Sequence, residues 1–256
     1  MQNFLNKLKT MLKVDFKRMF TMPLIYIMAG VSFAMPILIL VMTSMMGGAE
    51  EGAEAAAMFT NVWQAISSVS GGESSAMTMD LTTLCNMNLI YFLIAVPVCV
   101  FTAEDFRSGY AKNLFTVRAK KVDYVFSKSL VCFTGGAIMI LAYFIGAMLG
   151  GAIAGLSFTM QGFNAGGIIA CLFAKIFLVA VFVAIFLTFA VVAKQRTRLS
   201  ILLSLGCGAF TFMMIPMMTP LNANFIHVIM TLAGGALFAV GLGAVSNLIL
   251  NKTGLV

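Results

Sequence analysis

The sequence predicts an all-α membrane protein with six transmembrane helices, and three observations carry that prediction. The chain of 256 residues is 61% hydrophobic, with a mean hydropathy of +1.02. Only 10% of its residues are charged, against about 25% in a soluble domain. That charge is not scattered: it falls in short clusters between long apolar runs. A water-soluble core of this length has no room to hide so much apolar surface. The whole chain, 1–256, reads as one transmembrane domain.

A helix needs roughly 20 apolar residues to cross a hydrocarbon core about 30 Å thick. Residues 22–46 supply one span, and 81–102, bracketed by Asp80 and Glu104, a second. The uncharged stretch between 129 and 175 is too long for one helix, and the polar, Gly-containing SFTMQGFNAGG at 157–167 divides it. Span three is therefore placed at about 129–156. Span four is placed at about 168–193 and ends at KQRTR (194–198). PLNAN at 220–224 splits the last uncharged run into spans five (199–219) and six (225–250).

Basic residues mark the cytoplasmic side of a membrane protein. With both termini inside, 15 of the 16 Lys and Arg residues fall on one side, and only Lys175 is left over. The 47–80 loop holds Glu50, Glu51, Glu54, Glu73 and Asp80 and no Lys or Arg, which places it outside. The net charge of +7 is thus a topological signal and not a nucleic-acid one. The start of the chain reads as no signal peptide: its basic region is long and no small-residue cleavage site follows the first apolar run. The five Cys all lie in apolar runs without metal-type spacing and read as small hydrophobes.

Residues 1–20 form an amphipathic helix in this reading. Phe4, Leu8, Met11, Leu12, Phe16 and Met19 recur at helical spacing, while Lys7, Lys9, Lys13 and Lys17 fall largely off that stripe. Such a helix lies in the inner interface with its lysines toward anionic headgroups. In the outer loop, Met58, Val62, Trp63 and Ile66 suggest a short interfacial helix anchored by Trp63. Gly146, Gly150, Gly151 and Gly155 in span three form a small-residue stripe, read as a packing seam within the chain, with a dimer seam as the alternative.

The chemistry a sequence can show is mostly absent here. There is one histidine, His227, and no GxxxxGK[ST] phosphate loop. Glycine pairs inside apolar spans are packing features, and no catalytic constellation is present. Lys175 is the one charge expected inside the membrane. It either snorkels outward or lines a wet cavity, or it is a gating or substrate-contacting charge. The 21 Met residues read first as fillers of apolar helices and second as a compliant apolar path.

The segment at 103–128 is different. Within 102–130, nine residues are charged and six of them are basic. Read as one helix from Glu104, it puts Phe106, Tyr110, Leu114 and Val117 on one face, with Glu104 and Asp105 in the first turn, where acids complement the helix dipole. An ordinary basic inner loop has no use for such a stripe, whereas an element that docks on a cytosolic partner does.

The run EDFRSGYAKNLFTVRAKKVDYVFSKSL (104–130), with six spans, a basic interfacial helix and a long first outer loop, resembles the permease subunits of ABC type-2 transporters. Glu104, Asp105 and Gly109 match the family's acid-acid-to-glycine signature, Lys112 and Asn113 its continuation, and Lys128 the lysine opening the next span. The resemblance covers the whole chain in topology and is motif-specific only over 104–130. It departs from the family between spans five and six, where only PLNAN stands in place of a re-entrant element.

The resemblance implies a coupling helix, with Glu104, Asp105, Phe106, Arg107, Gly109, Tyr110 and Leu114 docking on a separate cytosolic ATPase subunit. That partner, in two copies, would carry ATP and magnesium; this chain would carry no cofactor and bind no nucleic acid. A second permease subunit, identical or a sister, would complete the pathway. Asn86, Asn88, Phe92, Lys175, Phe210, Met213 and Met217 are its candidate lining residues. Chains of this size are similar to exporters of phenol-soluble modulins and to lantibiotic-immunity permeases. That implies amphipathic or hydrophobic peptides as cargo and a bacterial plasma membrane as location. The alternatives are a stand-alone secondary transporter or channel using Lys175, and a non-transporting scaffold.

Overall fold

The computed structural model describes residues 2–47, 59, 61–67, 86–116, 120–159, 164–212, 215–221 and 223–252. Nine α-helices make up most of the described chain. They are α1 (Gln2–Thr21), α2 (Pro23–Gly47), α3 (Ile90–Arg107), α4 (Tyr110–Thr116), α5 (Lys121–Ile153), α6 (Ala165–Ala193), α7 (Thr197–Phe212), α8 (Ile215–Met218) and α9 (Phe225–Lys252). Two 3₁₀ turns, Val62–Ala65 and Met87–Leu89, precede α3. No named strand occurs among the described residues.

Five helical segments are long and apolar enough to cross a membrane: α2, α5, α6, α9 and the segment from Met87 to Arg107 that contains α3. The chain is a multi-pass membrane protein. The expected fifth span is shorter than the rest. α7 has 16 residues, about 24 Å at 1.5 Å per residue, and the separate short helix α8 follows it. Residues 48–58, 60 and 68–80 of the expected outer loop, Met58 among them, lie outside the described residues, as do residues 81–85 and Val117.

α6 is the central helix. It packs against α3, α5, α7 and α9, and Leu178, Val179, Phe182, Phe186 and Val191 are buried on its several faces. A Thr188 Oγ1–Ser246 Oγ hydrogen bond of 3.0 Å joins α6 to α9. A Cys99 Sγ–Ser204 Oγ contact of 3.3 Å joins α3 to α7. α2 lies on the rim and packs on α5 through glycines. A methyl group built on Gly146 would collide with the Phe33 carbonyl, and one on Gly150 would stand 2.8 Å from Ile37 Cα. Gly151 faces Val62 just as closely. Three of the four stripe glycines therefore form a seam inside the chain. Gly155 acts differently. At φ 69° it ends α5 in the left-handed region, where glycine carries no Cβ penalty.

Three expectations change. Span three begins earlier than 129, because α5 starts at Lys121 and takes Asp123 and Lys128 into the helix. The single coupling helix from Glu104 is two pieces: α3 runs on to Arg107, Gly109 turns at φ 74°, and α4 begins at Tyr110. Glu104 and Asp105 thus stand in the last turn of α3, where the dipole disfavours acids, and need other partners. The short helix expected around Trp63 is the single 3₁₀ turn Val62–Ala65, flanked by Asn61 and Ile66. Val62 and Ile66 are buried, and Trp63 Nε1 donates to Phe158 O at 2.8 Å, docking this turn on the α5–α6 connection.

Candidate functional site

Two groups of buried charge stand out, at opposite ends of α3. The first gathers α1, α3, α4 and α5. On α1, Met11, Asp15 and Met19 recur every four residues and share the inward face, while Lys9, Lys13 and Lys17 are exposed and Phe16 is half-buried. The side chain of Lys7 lies outside the described residues. The inward face thus carries one carboxylate among thioethers.

Asp15 meets a matching set. Lys128 Nζ on α5 lies 2.9 Å from Asp15 Oδ1 and 2.7 Å from Asp105 Oδ2. Arg18 Nη1 donates to Asp105 Oδ1 at 2.7 Å. Ser127 Oγ donates to Asp15 Oδ2 at 2.6 Å, and Tyr124 OH to Asp105 Oδ2 at 2.9 Å. The Arg18 guanidinium sits 3.9 Å over the Tyr110 ring, and Lys128 Nζ 3.8 Å over that of Phe101.

Asp15, Asp105 and Lys128 have no exposure at all. Two carboxylates and two cations cancel, and each carboxylate receives several donors, the condition under which buried ions are tolerated. Burial works against the Arg18 cation, but Asp105 and Asp15 outweigh it and hold its pKa above the ordinary value. Burial, reinforced by Asp15, raises the Tyr110 phenol pKa, so the ring stays a neutral platform.

This network corrects the docking set. Asp105 is 0% exposed and Phe106 is buried, so neither side chain is placed to touch a partner. Asp105 is instead the bolt between α3, α1 and α5. Glu104 and Gly109 are partly exposed, Tyr110 and Leu114 are half-buried, and Arg107, Lys112 and Asn113 are exposed. The α6–α7 turn joins the same end, with Arg107 donating to Thr197 Oγ1 at 3.3 Å and Gln195 Nε2 to Phe106 O at 3.4 Å.

Sequence reasoning misses Asp15, although a signal for it is present. It is the one acid in residues 1–49 and lies on the apolar stripe, i+4 from Met11 and i−4 from Met19.

The second group surrounds Lys175 on α6. Its side chain is 0% exposed, so it neither snorkels nor reaches water. Lys175 Nζ donates to Asn88 Oδ1 at 2.7 Å and to Thr219 Oγ1 at 3.1 Å. Tyr91 OH donates to the Lys175 carbonyl at 2.8 Å. Asn86 Oδ1 accepts from Asn88 N at 2.9 Å and caps the turn that leads into α3. Ser67 Oγ donates to Thr219 O at 3.1 Å and closes the group over. Among the described residues no carboxylate pairs with Lys175.

The structure thus brings together three of the candidate lining residues, Asn86, Asn88 and Lys175. Phe92 belongs elsewhere, its ring tilted at 35° against that of Phe212, 4.9 Å away, between α3 and α7. Phe210 is 85% exposed on the outer face of α7. Met213 and the side chain of Met217 lie outside the described residues. Beyond these groups, an apolar groove of about 590 Å³ runs between α5, α6 and α9, with Phe126, Phe133 and Phe177 along it. Compared with protein-family models, curated proteins and solved structures, the chain matches none of them.

Proposed function

We propose that the chain is the membrane-spanning permease subunit of an ATP-driven exporter of the ABC type-2 kind. In this reading it has six spans, α7 and α8 together serving as the fifth, and both termini lie on the cytoplasmic side of a bacterial plasma membrane. Two permease halves, identical or sister chains, form the pathway beside two copies of a cytosolic ATPase subunit, which carry ATP and magnesium.

One observation carries the proposal. α4 is a separate short helix with Lys112 and Asn113 exposed, set between α3 and α5, and its Tyr110 rests on the ion network that ties α1, α3 and α5 together. A push on α4 reaches three helices through groups that have no freedom to slide, because moving any member strands a buried charge. That is what a coupling element needs: an exposed face for the ATPase and a rigid root in the bundle. The resemblance of residues 104–130 to the family supports the same reading. The groove between α5, α6 and α9 supports an amphipathic or hydrophobic peptide cargo, being almost wholly apolar.

The test uses exposed residues, so that folding and docking separate. The tagged chain and its Arg107→Glu/Lys112→Glu variant are purified from native membranes, co-purifying ATPases are identified by mass spectrometry, and ATP hydrolysis is measured in lipid nanodiscs. Wild type should retain an ATPase. The variant gives up the exposed Arg107–Thr197 hydrogen bond, so it should unfold only slightly below wild type, yet lose capture about tenfold, the effect of one or two charge-assisted contacts. Absence of any ATPase, or equal capture by the variant, defeats the proposal.

One observation favours a second reading, a stand-alone transporter or channel. The buried Lys175, which has no carboxylate partner among the described residues, is a functional charge by the usual logic of intramembrane ions. That reading gains if the purified chain moves solute in vesicles without an ATPase.

A further inference from the structure

The Lys175 group has donors in excess. Its ammonium carries three N–H bonds, and two are used, on Asn88 and Thr219. The side-chain amides beside it add more: Asn88 Nδ2 and Asn86 Nδ2 are both buried, and neither has a hydrogen-bond partner among the described residues. The side chains of Asn86, Asn88, Thr219 and Lys175 are all shut off from water.

A buried donor without a partner costs about 1–3 kcal/mol, and an unneutralised buried ammonium costs more. The backbone adds to the imbalance, since the turn at Met87–Leu89 runs into α3 and points the positive end of that helix at the group. The group also sits where chain elements stop: the start of α3, the end of α8 at Thr219, and the turn at Ser67. Interrupted helices meeting around a polar group are how membrane transporters build solute sites.

We infer that Lys175, Asn88 and Asn86 form a binding site for a carboxylate. A carboxylate brings one negative charge and about four acceptor positions in a plane. It would neutralise the ammonium and satisfy the two orphaned amide groups at once. Ser67 and Thr219 close the site, so loading requires the segment around Thr219 to move aside. Where the source of the carboxylate is concerned, the inference rests on the export reading, in which the group is the free C-terminus of a peptide cargo; a small free carboxylate shares the chemistry.

The test uses the purified full-length chain in nanodiscs with no ATPase. Thermal unfolding is followed against sodium acetate, acetamide and sodium chloride at equal ionic strength. Binding is then titrated with an amphipathic Leu/Lys peptide made with a free C-terminal carboxylate and with a C-terminal amide. Acetate should protect and the other two should not. The free-acid peptide should bind about tenfold tighter than the amide, and both effects should vanish in Lys175→Met.

Acetate protection without a peptide preference keeps the site and assigns it to small free carboxylates. Protection by chloride equal to that by acetate, no protection by either, or effects that persist in Lys175→Met overturn it. If Lys175→Met does not fold, Asn88→Asp decides. That variant supplies an internal carboxylate 2.7 Å from the ammonium, so acetate should no longer protect it, and continued protection overturns the site. Capture of an ATPase plays no part here, so the failure of this site and the failure of the export reading are separate results.

Discussion

At the residue scale, the two buried cations differ in how they are neutralised. Lys128 lies within 2.9 Å of two carboxylates and is a structural charge. Lys175 has only neutral acceptors among the described residues. Removing one member of the first network leaves its partners uncompensated. Asp105→Ala should therefore cost about 3–5 kcal/mol, and Lys128→Met about as much. The double variant Asp105→Leu/Lys128→Met retains as a neutral pair Asp15 and Arg18, which lie 4.0 Å apart in the native structure. It should lose clearly less than the sum of the single effects. Urea unfolding of the three variants in micelles measures this. Additive losses, or single losses below about 1 kcal/mol, the range of an exposed ion pair, would show that the network does not hold α1, α3 and α5 together.

At the element scale, what could be read from the chain divides by sequence distance. The long apolar helices were legible because length and hydropathy are local properties, and α2, α6 and α9 start and stop within three residues of the expected spans. The break at Gly109 was harder, since its helical pattern continues across the turn and only a positive φ interrupts it. The glycine seam was legible as spacing, while its partner was not: nothing in Gly146 or Gly150 names Phe33 or Ile37, more than a hundred residues away. The seam makes a sharp prediction. Gly146→Ala puts a methyl group into the Phe33 carbonyl on the α2 backbone, where no side chain can rotate away. It should destabilise by about 1–3 kcal/mol or more, as overpacking does. Gly241→Ala in α9 meets nothing within 4 Å, and as a helix-interior replacement should be neutral or stabilise by up to about 1 kcal/mol. The unfolding midpoint of Gly146→Ala should fall while that of Gly241→Ala holds or rises, and equal shifts would mean that α2 is free to step back from α5.

At the scale of the whole molecule, the two buried groups lie at opposite ends of α3, and the exposed charges follow the first. Exposed Lys9, Lys13, Lys17, Arg107, Lys112 and Lys252 lie on α1, the end of α3, α4 and the end of α9, and Lys121 Nζ donates to Leu250 O at 2.7 Å, joining the start of α5 to the end of α9. The other end is built from Asn61, Trp63, Phe158 and Asn224, with no cation among them. The arrangement of charge was legible because it is a count along the chain. The networks were not, because Asp15 to Lys128 and Asn88 to Lys175 are separated by 113 and 87 residues, and no local pattern links such pairs. The positive-inside rule converts this asymmetry into a sidedness that can be measured. Cysteines placed at Ser108 and Thr159, both exposed, should react with a membrane-impermeant maleimide from opposite faces of right-side-out vesicles. Thr159→Cys should label at once, and Ser108→Cys only after permeabilisation. Native Cys99, Cys132 and Cys171 are buried but Cys207 is half-buried, so the cysteines are placed in a parent with Cys85 and Cys207 replaced by Ser, whose own labelling sets the background. Labelling of both positions from one face would break the pairing of ends to membrane sides, and with it the premise that α4 faces an ATPase in the cytosol.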